Sequence, residues 1–372
     1  MINPVRNAAS VYIHWAKTSS RAKFNLATSA PTPYPTADLP IQMTDIEINA
    51  SSGSYGYEPL TEALASRLNV EPRSLVYANG TSMANHLAMA TLLDRGDEAL
   101  IETPGYEPHV AMAEYLGATV RRFKRAHEYG FAIDVDEIEA AATPRTRLIV
   151  LTNLHNPSNA VVDNDTLARI GRIARRVGAR VLVDEVYLEA MFDHRPQSAF
   201  HLGPEFVATG SLTKAYGLGG LRCGWILAEP QLAEKMWRLD DLYGVIPPHA
   251  IERLSLIALK HLKAISSRAQ TLLRANRGIL DGFLESREDL QCFRPEFGTV
   301  VFPRLLEGNV DALSRLLAEK YETTVVPGRF FEAPEHFRIG IGCDSEMLAE
   351  GLKRLGSALD ELPKLSSASS KP

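Results

Sequence analysis

Val181-Leu182-Val183-Asp184-Glu185-Val186-Tyr187 opens as an apolar run, breaks into two acids and reaches a phenol three residues after Asp184. A short continuous apolar run bounded by polar residues is the pattern of a strand buried on both faces. Thr166–Val177 reads as an amphipathic helix just before it. Equivalent short strands appear at Ala99–Ile101, Arg147–Leu151, Arg180–Val183, Phe206–Ala208 and Gly224–Leu227. Strands alternating with helices imply a mostly parallel sheet covered on both faces, an α/β fold. Ligands of such sheets bind beyond the carboxyl ends of the strands, which makes Asp184 and Tyr187 candidate site residues. The plain alternative is an aspartate that caps the next turn.

Working outward, Leu60–Leu68 and Ser82–Leu93 read as helices, the second rich in Ala, Leu and Met. Val11–Lys17 has the length of a short helix, and the proline-rich Ser29–Pro35 cannot continue one. After Pro247-Pro248 the character changes. One long helical run over His249–Glu285 leads to strands at Thr299–Phe302 and Thr324–Val326, with helices at Val310–Lys320 and Ser345–Leu362. This pattern divides the chain into a large α/β domain over 46–248 and a smaller α+β domain. The smaller one combines an N-terminal arm, 1–45, with 249–372. The low-complexity tail Ser366–Pro372 is expected to fray.

Of the 372 residues, 45% are hydrophobic and 23% charged, enough for a sizeable core. The net charge of −5 argues against a nucleic-acid partner. The one basic run, Arg121-Arg122-Phe123-Lys124-Arg125, reads as a solvated strand edge. Cys223, Cys292 and Cys343 are too few and too scattered for a disulfide framework or a zinc site. Met1–Ser10 lacks a cationic start followed by an apolar stretch, and no run reaches the roughly 18 apolar residues of a membrane span. A cytoplasmic protein with no membrane partner is expected.

Four segments carry candidate chemistry. Ser211-Leu212-Thr213-Lys214 leads into Ala215–Trp225, which is rich in glycine and contains Arg222. Alone, Lys214 is either a loop lysine or an amine kept out of water to meet a carbonyl. Leu148–Leu151 runs into Thr152-Asn153-Leu154-His155-Asn156-Pro157, a strand end followed by a proline turn. His155 has no second histidine at ligand spacing, so no metal is expected. Tyr77-Ala78-Asn79-Gly80-Thr81-Ser82 opens a helix whose N–H groups and two hydroxyls make either a phosphate seat or a plain N-cap.

In this order the four segments resemble the PLP-dependent aminotransferase class I/II family, fold type I, from about Tyr55 to Gly342. The resemblance implies pyridoxal 5′-phosphate (PLP), held by Lys214 as a Schiff base. It implies Asp184 at the pyridinium nitrogen, with Tyr187 and Asn156 at the phenolic oxygen. Gly80, Thr81, Ser82, Ser211, Thr213 and Arg222 match the phosphate-binding positions, and Tyr106 matches the aromatic that stacks on the ring. Arg338, in Phe337-Arg338-Ile339-Gly340, matches the arginine that grips the substrate α-carboxylate, beside Asn156. Tyr55, next to Ser51-Ser52-Gly53-Ser54, is the candidate for a tyrosine that reaches a partner subunit's phosphate.

A ring nitrogen that stays protonated suits a buried carboxylate, and an arginine fork suits phosphate or carboxylate better than a lysine does. Three departures from the pattern stand out. Asn159 occupies the place of a glycine after Asn156-Pro157-Ser158, and asparagine tolerates the left-handed conformation that turn needs. His155 is unusual and could face the cofactor's edge. Phe24–Ser29 fits the family's substrate-lining arm only loosely.

The resemblance implies a homodimeric aminotransferase working on an amino acid and a 2-oxo acid. The alternative is lyase, decarboxylase, cyclase or oxidase chemistry on the same cofactor. A non-enzymatic PLP-fold regulator is disfavoured, since about forty residues precede the fold region.

Overall fold

Alternation of side chains across a strand decides how the main sheet is covered. In the computed structural model, which describes residues 9–48 and 55–368, seven strands form that sheet among the described residues. They are β1 (Leu75–Asn79), β2 (Glu98–Thr103), β3 (Thr119–Lys124), β4 (Thr146–Thr152), β5 (Arg180–Asp184), β6 (Phe206–Ser211) and β7 (Cys223–Leu227). The spatial order is β1-β7-β6-β5-β4-β2-β3. Neighbouring pairs are parallel except those made by β7, which runs antiparallel to both β1 and β6.

On one face Leu148, Val150 and Leu182 pack with Leu87 and Ala113. These come from α2 (Gly80–Leu92) and α3 (Glu107–Leu116). On the other face Ile149, Leu151, Val181 and Val183 pack with Leu167, Ile170 and Ile173 of α4 (Asn164–Val177). Asp163 caps α4 by accepting the Thr166 N–H, and Gly178 ends it in the left-handed conformation. The α/β fold expected from the sequence is therefore present, with β1 and β3 as strands that the apolar runs did not mark, β3 carrying the basic run.

A second, smaller sheet places Phe337–Gly340 between Val300–Val301 and Val326–Pro327, antiparallel to both. The arm joins this part of the molecule. Its residues Phe24–Asn25 pair with Thr323–Thr324, and Leu26 enters the core formed by Leu273, Leu317, Ile339 and Leu352. The arm also carries α1 (Val11–Thr18), capped by Ser10 through the Ile13 N–H.

Three expectations are corrected. The single run over His249–Glu285 is two helices, α5 (His249–Lys260) and α6 (Leu262–Glu285). They break at His261, whose ψ of 11° leaves the helical range and whose ring donates to the Ile257 carbonyl. The last helix spans Ser345–Ala368, past the Leu362 end read from the sequence; residues 369–372 lie outside the described residues.

The basic run is not uniformly solvated. β3 is the edge strand, but Arg125 just after it turns inward and is 0% exposed. It donates to Glu102 (2.9 Å) and to the Phe131 carbonyl (2.7 Å), while Glu102 also accepts the Thr152 amide and hydroxyl. Removing one member of a buried ion pair strands the other in a medium that cannot solvate it. Arg125→Met is expected to cost about 3–5 kcal/mol in a denaturant titration, and a loss below about 1 kcal/mol would show the pair to be dispensable.

Candidate active site

The strand order brings the candidate residues to one edge of the main sheet. Asp184 ends β5, Ser211 ends β6, Asn156 follows β4, Tyr106 follows β2, and Thr81 and Ser82 follow β1 in the first turn of α2. β7 runs the other way, so Arg222 just before it starts from that same edge. A cavity of about 310 Å³ lies there, lined by these residues together with Tyr187, Thr213, Lys214 and Arg338. Gly80 does not itself line it, but shapes its wall.

At one end the pocket is built for an anion. The N-terminus of α2 presents backbone N–H groups there. A Cβ on Gly80, whose φ is +77°, would run into the Arg222 guanidinium. Arg222 donates to the Asn79 carbonyl (3.1 Å). The Thr81 and Thr213 hydroxyls are buried with no hydrogen-bond partner. Two orphaned hydroxyls beside an arginine and a helix start require an acceptor-rich ligand, because unsatisfied buried polar groups are costly. Ser82 and Arg222 are exposed at the rim of the single chain.

In the centre lies Lys214, whose amine donates to Ser29 Oγ (2.9 Å). Burial lowers its pKa below that of an ordinary lysine; the Tyr12 phenol opposes the shift and Arg338 adds to it. Opposite, Asp184 Oδ2 accepts from Asn85 Nδ2 (2.7 Å) and faces His109 Nε2 (3.2 Å), while Oδ1 accepts the Val186 N–H (3.0 Å). The Thr209 hydroxyl donates to Asn85 Oδ1 (2.6 Å) and so fixes that amide. Glu185 points away, accepting the Ala199 N–H, and burial pushes its carboxyl up to about 7. Of the two adjacent acids, only Asp184 lines the pocket.

At the far end Arg338, 1% exposed, donates to Asn156 Oδ1 (2.9 Å), the Tyr12 hydroxyl (2.8 Å) and the Ala27 carbonyl (3.3 Å). Its Nε is buried without a partner. Tyr106 meets Tyr12 and His109 edge-on at centroid distances of 6.0 and 5.2 Å.

His155 does not reach the pocket. Its Nε2 donates to the Pro104 carbonyl (2.9 Å), which leaves Nδ1 to accept from Ser158 Oγ (2.6 Å). Burial holds its pKa well below the usual value, so it is a neutral brace of the turn rather than a cofactor neighbour. Asn159 adopts φ 58°, and its Oδ1 accepts the Thr299 and Val300 amides, ties that a glycine has no side chain to make. The Tyr55 hydroxyl sits between Arg238 (2.6 Å) and Asp241 (3.3 Å) of its own chain; Ser51–Ser54 lie outside the described residues.

Asn85, His109, Tyr12 and Ser29 complete the site and were not singled out from the sequence. His109 lies one helical turn after Tyr106, which was a usable signal. Tyr12 in an aromatic-rich short helix reads as core.

The chain is similar to known proteins. The family model "Aminotransferase class I and II" covers residues 38–355. The chain belongs to the class I and II aminotransferase family. It is 33% identical over 311 residues to capreomycidine synthase of Streptomyces vinaceus, covering 82% of this chain and 80% of that protein. It is 26% identical over 328 residues to a probable aspartate/prephenate aminotransferase of Aquifex aeolicus, covering 83% of each. The fold matches that of a PLP-dependent aminotransferase from Streptococcus suis 89-1591 with a TM-score of 0.87 at 24% identity, over 94% of this chain and 96% of that one. The architecture is fold type I and the cofactor is pyridoxal 5′-phosphate. The orphaned Thr81 and Thr213 hydroxyls, the Arg222 guanidinium held close against Gly80 and the desolvated Lys214 amine fit that group. No helix among the described residues is long and apolar enough to cross a membrane.

Proposed function

We propose that this enzyme transfers the amino group of an α-amino acid to a 2-oxo acid. The observation that carries the reading is a desolvated amine, Lys214, in one pocket with the buried fork of Arg338. When bound, PLP supplies an electron sink for charge developing at the substrate Cα. Lys214 would hold it covalently. Gly80, Thr81, Ser82, Ser211, Thr213 and Arg222 would seat its phosphate, Asp184 would face its ring nitrogen, and Tyr106 would stack on its ring. Tyr187 and Asn156 would donate to its phenolic oxygen.

Arg338 would bind the substrate carboxylate, aided by Asn156, and so orient the Cα–H toward Lys214. Once released, the neutral Lys214 amine takes the Cα proton as base and, as the ammonium so formed, gives it up again as acid. The lowered pKa keeps that amine unprotonated at lower pH than an ordinary lysine allows.

We also propose a homodimer. Ser82 and Arg222 stay exposed in one chain, and Met43, Ile48, Leu242, Tyr243 and Val245 form exposed apolar surface. The division into domains 46–248 and 1–45 plus 249–372 belongs to the same proposal.

A second reading, synthase chemistry such as cyclisation that keeps the amino group within one substrate, is favoured by the 33% identity to capreomycidine synthase. One assay separates the two. Under transamination, an amino-donor panel converts the bound cofactor to its pyridoxamine form, and a 2-oxo acid reverses the change. Substrate turnover with neither pyridoxamine formation nor any need for a 2-oxo acid would overturn transamination in favour of the second reading.

A further inference from the structure

The arm that fits the family pattern loosely ends in a hydroxyl at the reactive amine. Ser29 is 6% exposed, and its Oγ lies 2.9 Å from Lys214 Nζ. Burial raises the pKa of the nearby Tyr187 phenol, and Arg338 and then Ser29 oppose that shift. Its backbone is anchored independently of that hydroxyl. The Thr299 hydroxyl donates to the Ser29 carbonyl (2.8 Å), and the preceding Leu26 accepts the Gly340 amide (2.7 Å) and donates to the Thr324 carbonyl (2.9 Å). Gly340 has no Cβ to hold off the Thr28 carbonyl, so the arm lies directly against the strand that carries Arg338. Ser29 therefore comes to Lys214 on a rigid support.

We propose that Ser29 is a positioning residue for the free Lys214 amine, holding it between the Cα of the substrate and Tyr187 while it carries the proton. This rests on the reading of Lys214 as the proton carrier. The proton balance is closed. The neutral amine takes one proton and becomes an ammonium, one of whose N–H bonds is accepted by Ser29 Oγ. The ammonium then gives one proton back, and Ser29 ends unchanged. The other titratable and charged groups that act on the ammonium are Tyr12 of α1, Arg338 of the small sheet, Arg222 before β7 and Asp184 of β5. Arg338 and Arg222 oppose the positive charge, so an acceptor at Oγ matters.

The test compares Ser29→Ala and Ser29→Thr with wild type by two readouts. In the cofactor-stripped full chain, the pH dependence of Lys214 acylation by an amine-reactive reagent is followed by peptide mass. Losing the acceptor destabilises the ammonium, so the Ser29→Ala midpoint is expected to fall by about one pH unit. Ser29→Thr, which keeps the hydroxyl, is expected to hold the wild-type midpoint. In the holoenzyme, exchange of the substrate Cα–H in heavy water is expected to slow about tenfold in Ser29→Ala, with KM within about twofold. An unchanged acylation midpoint in Ser29→Ala overturns the proposal. A wild-type holoenzyme that exchanges no amino-acid Cα–H overturns the function instead, and the acylation midpoint still decides whether Ser29 holds the amine.

Discussion

Lys214→Ala is expected to lose covalent cofactor attachment and to lower turnover by about 10³-fold or more. Two losses combine in one substitution. The amine that bonds to the cofactor is gone, and so is the group that moves the Cα proton, a role worth about 10²–10⁴ on its own. The surroundings supply no replacement at the same place. Ser29, which meets Lys214 Nζ, carries a hydroxyl, and Tyr12 and Tyr187 carry phenols. Borohydride reduction followed by peptide mapping checks the attachment, with the cofactor mass expected on the Lys214 peptide of wild type and on no peptide of the variant. The pH profile checks the second role. Burial lowers the Lys214 pKa, and only the neutral amine accepts a proton, so the acidic limb of kcat should lie below the range of an exposed lysine. A Lys214→Ala protein within tenfold of wild type would remove the lysine from the mechanism.

The residues that could be read from the sequence share a physical reason. Asp184, Asn156 and Ser211 each stand where an apolar strand ends, and a parallel sheet gathers such ends on one edge whatever the intervening lengths; Thr81 was marked instead by the start of a helix. Apolar runs and the polar residues that stop them are local signals. Tyr12 and Ser29 reach the site by a different route, from an arm that crosses to Arg338 and Lys214 over sequence separations of 326 and 185 residues. Nothing local marks such contacts. Arg125 shows the same limit from the other side. Its place in a basic run suggests solvent, and only the register of β2 and β3 reveals that Glu102 waits beneath it. His155 failed differently, because both its ring nitrogens are used within a turn whose geometry depends on the Pro104 carbonyl of another loop. The break at His261 lies inside a pattern that is helical on both sides, and periodicity cannot locate a one-residue interruption.

Asp184→Asn is expected to lower kcat/KM by about 10³-fold while leaving the chain folded. The substitution keeps the shape and an acceptor oxygen for Asn85, whose amide is fixed by Thr209, but it removes the charge and puts an NH2 group where Oδ1 accepts the Val186 N–H. A protonated ring nitrogen facing a neutral amide in a buried pocket loses its counter-ion, and breaking a buried pair costs about 3–5 kcal/mol. At about 1.4 kcal/mol per decade that corresponds to two to three and a half orders of magnitude. Asp184→Ala provides the contrast. It also strands the Asn85 amide and the Val186 N–H, each unsatisfied group costing roughly 1–3 kcal/mol, so it should lower Tm as well as activity. Stability and activity thus separate the observed role of this carboxylate, as a tie for α2, from its proposed one, as a charge beside the cofactor. The checks are steady-state kinetics with saturating PLP and thermal denaturation of both variants. If Asp184→Asn works within tenfold of wild type, the charge of Asp184 does not serve the reaction, and its ties to Asn85 and the Val186 N–H are its function.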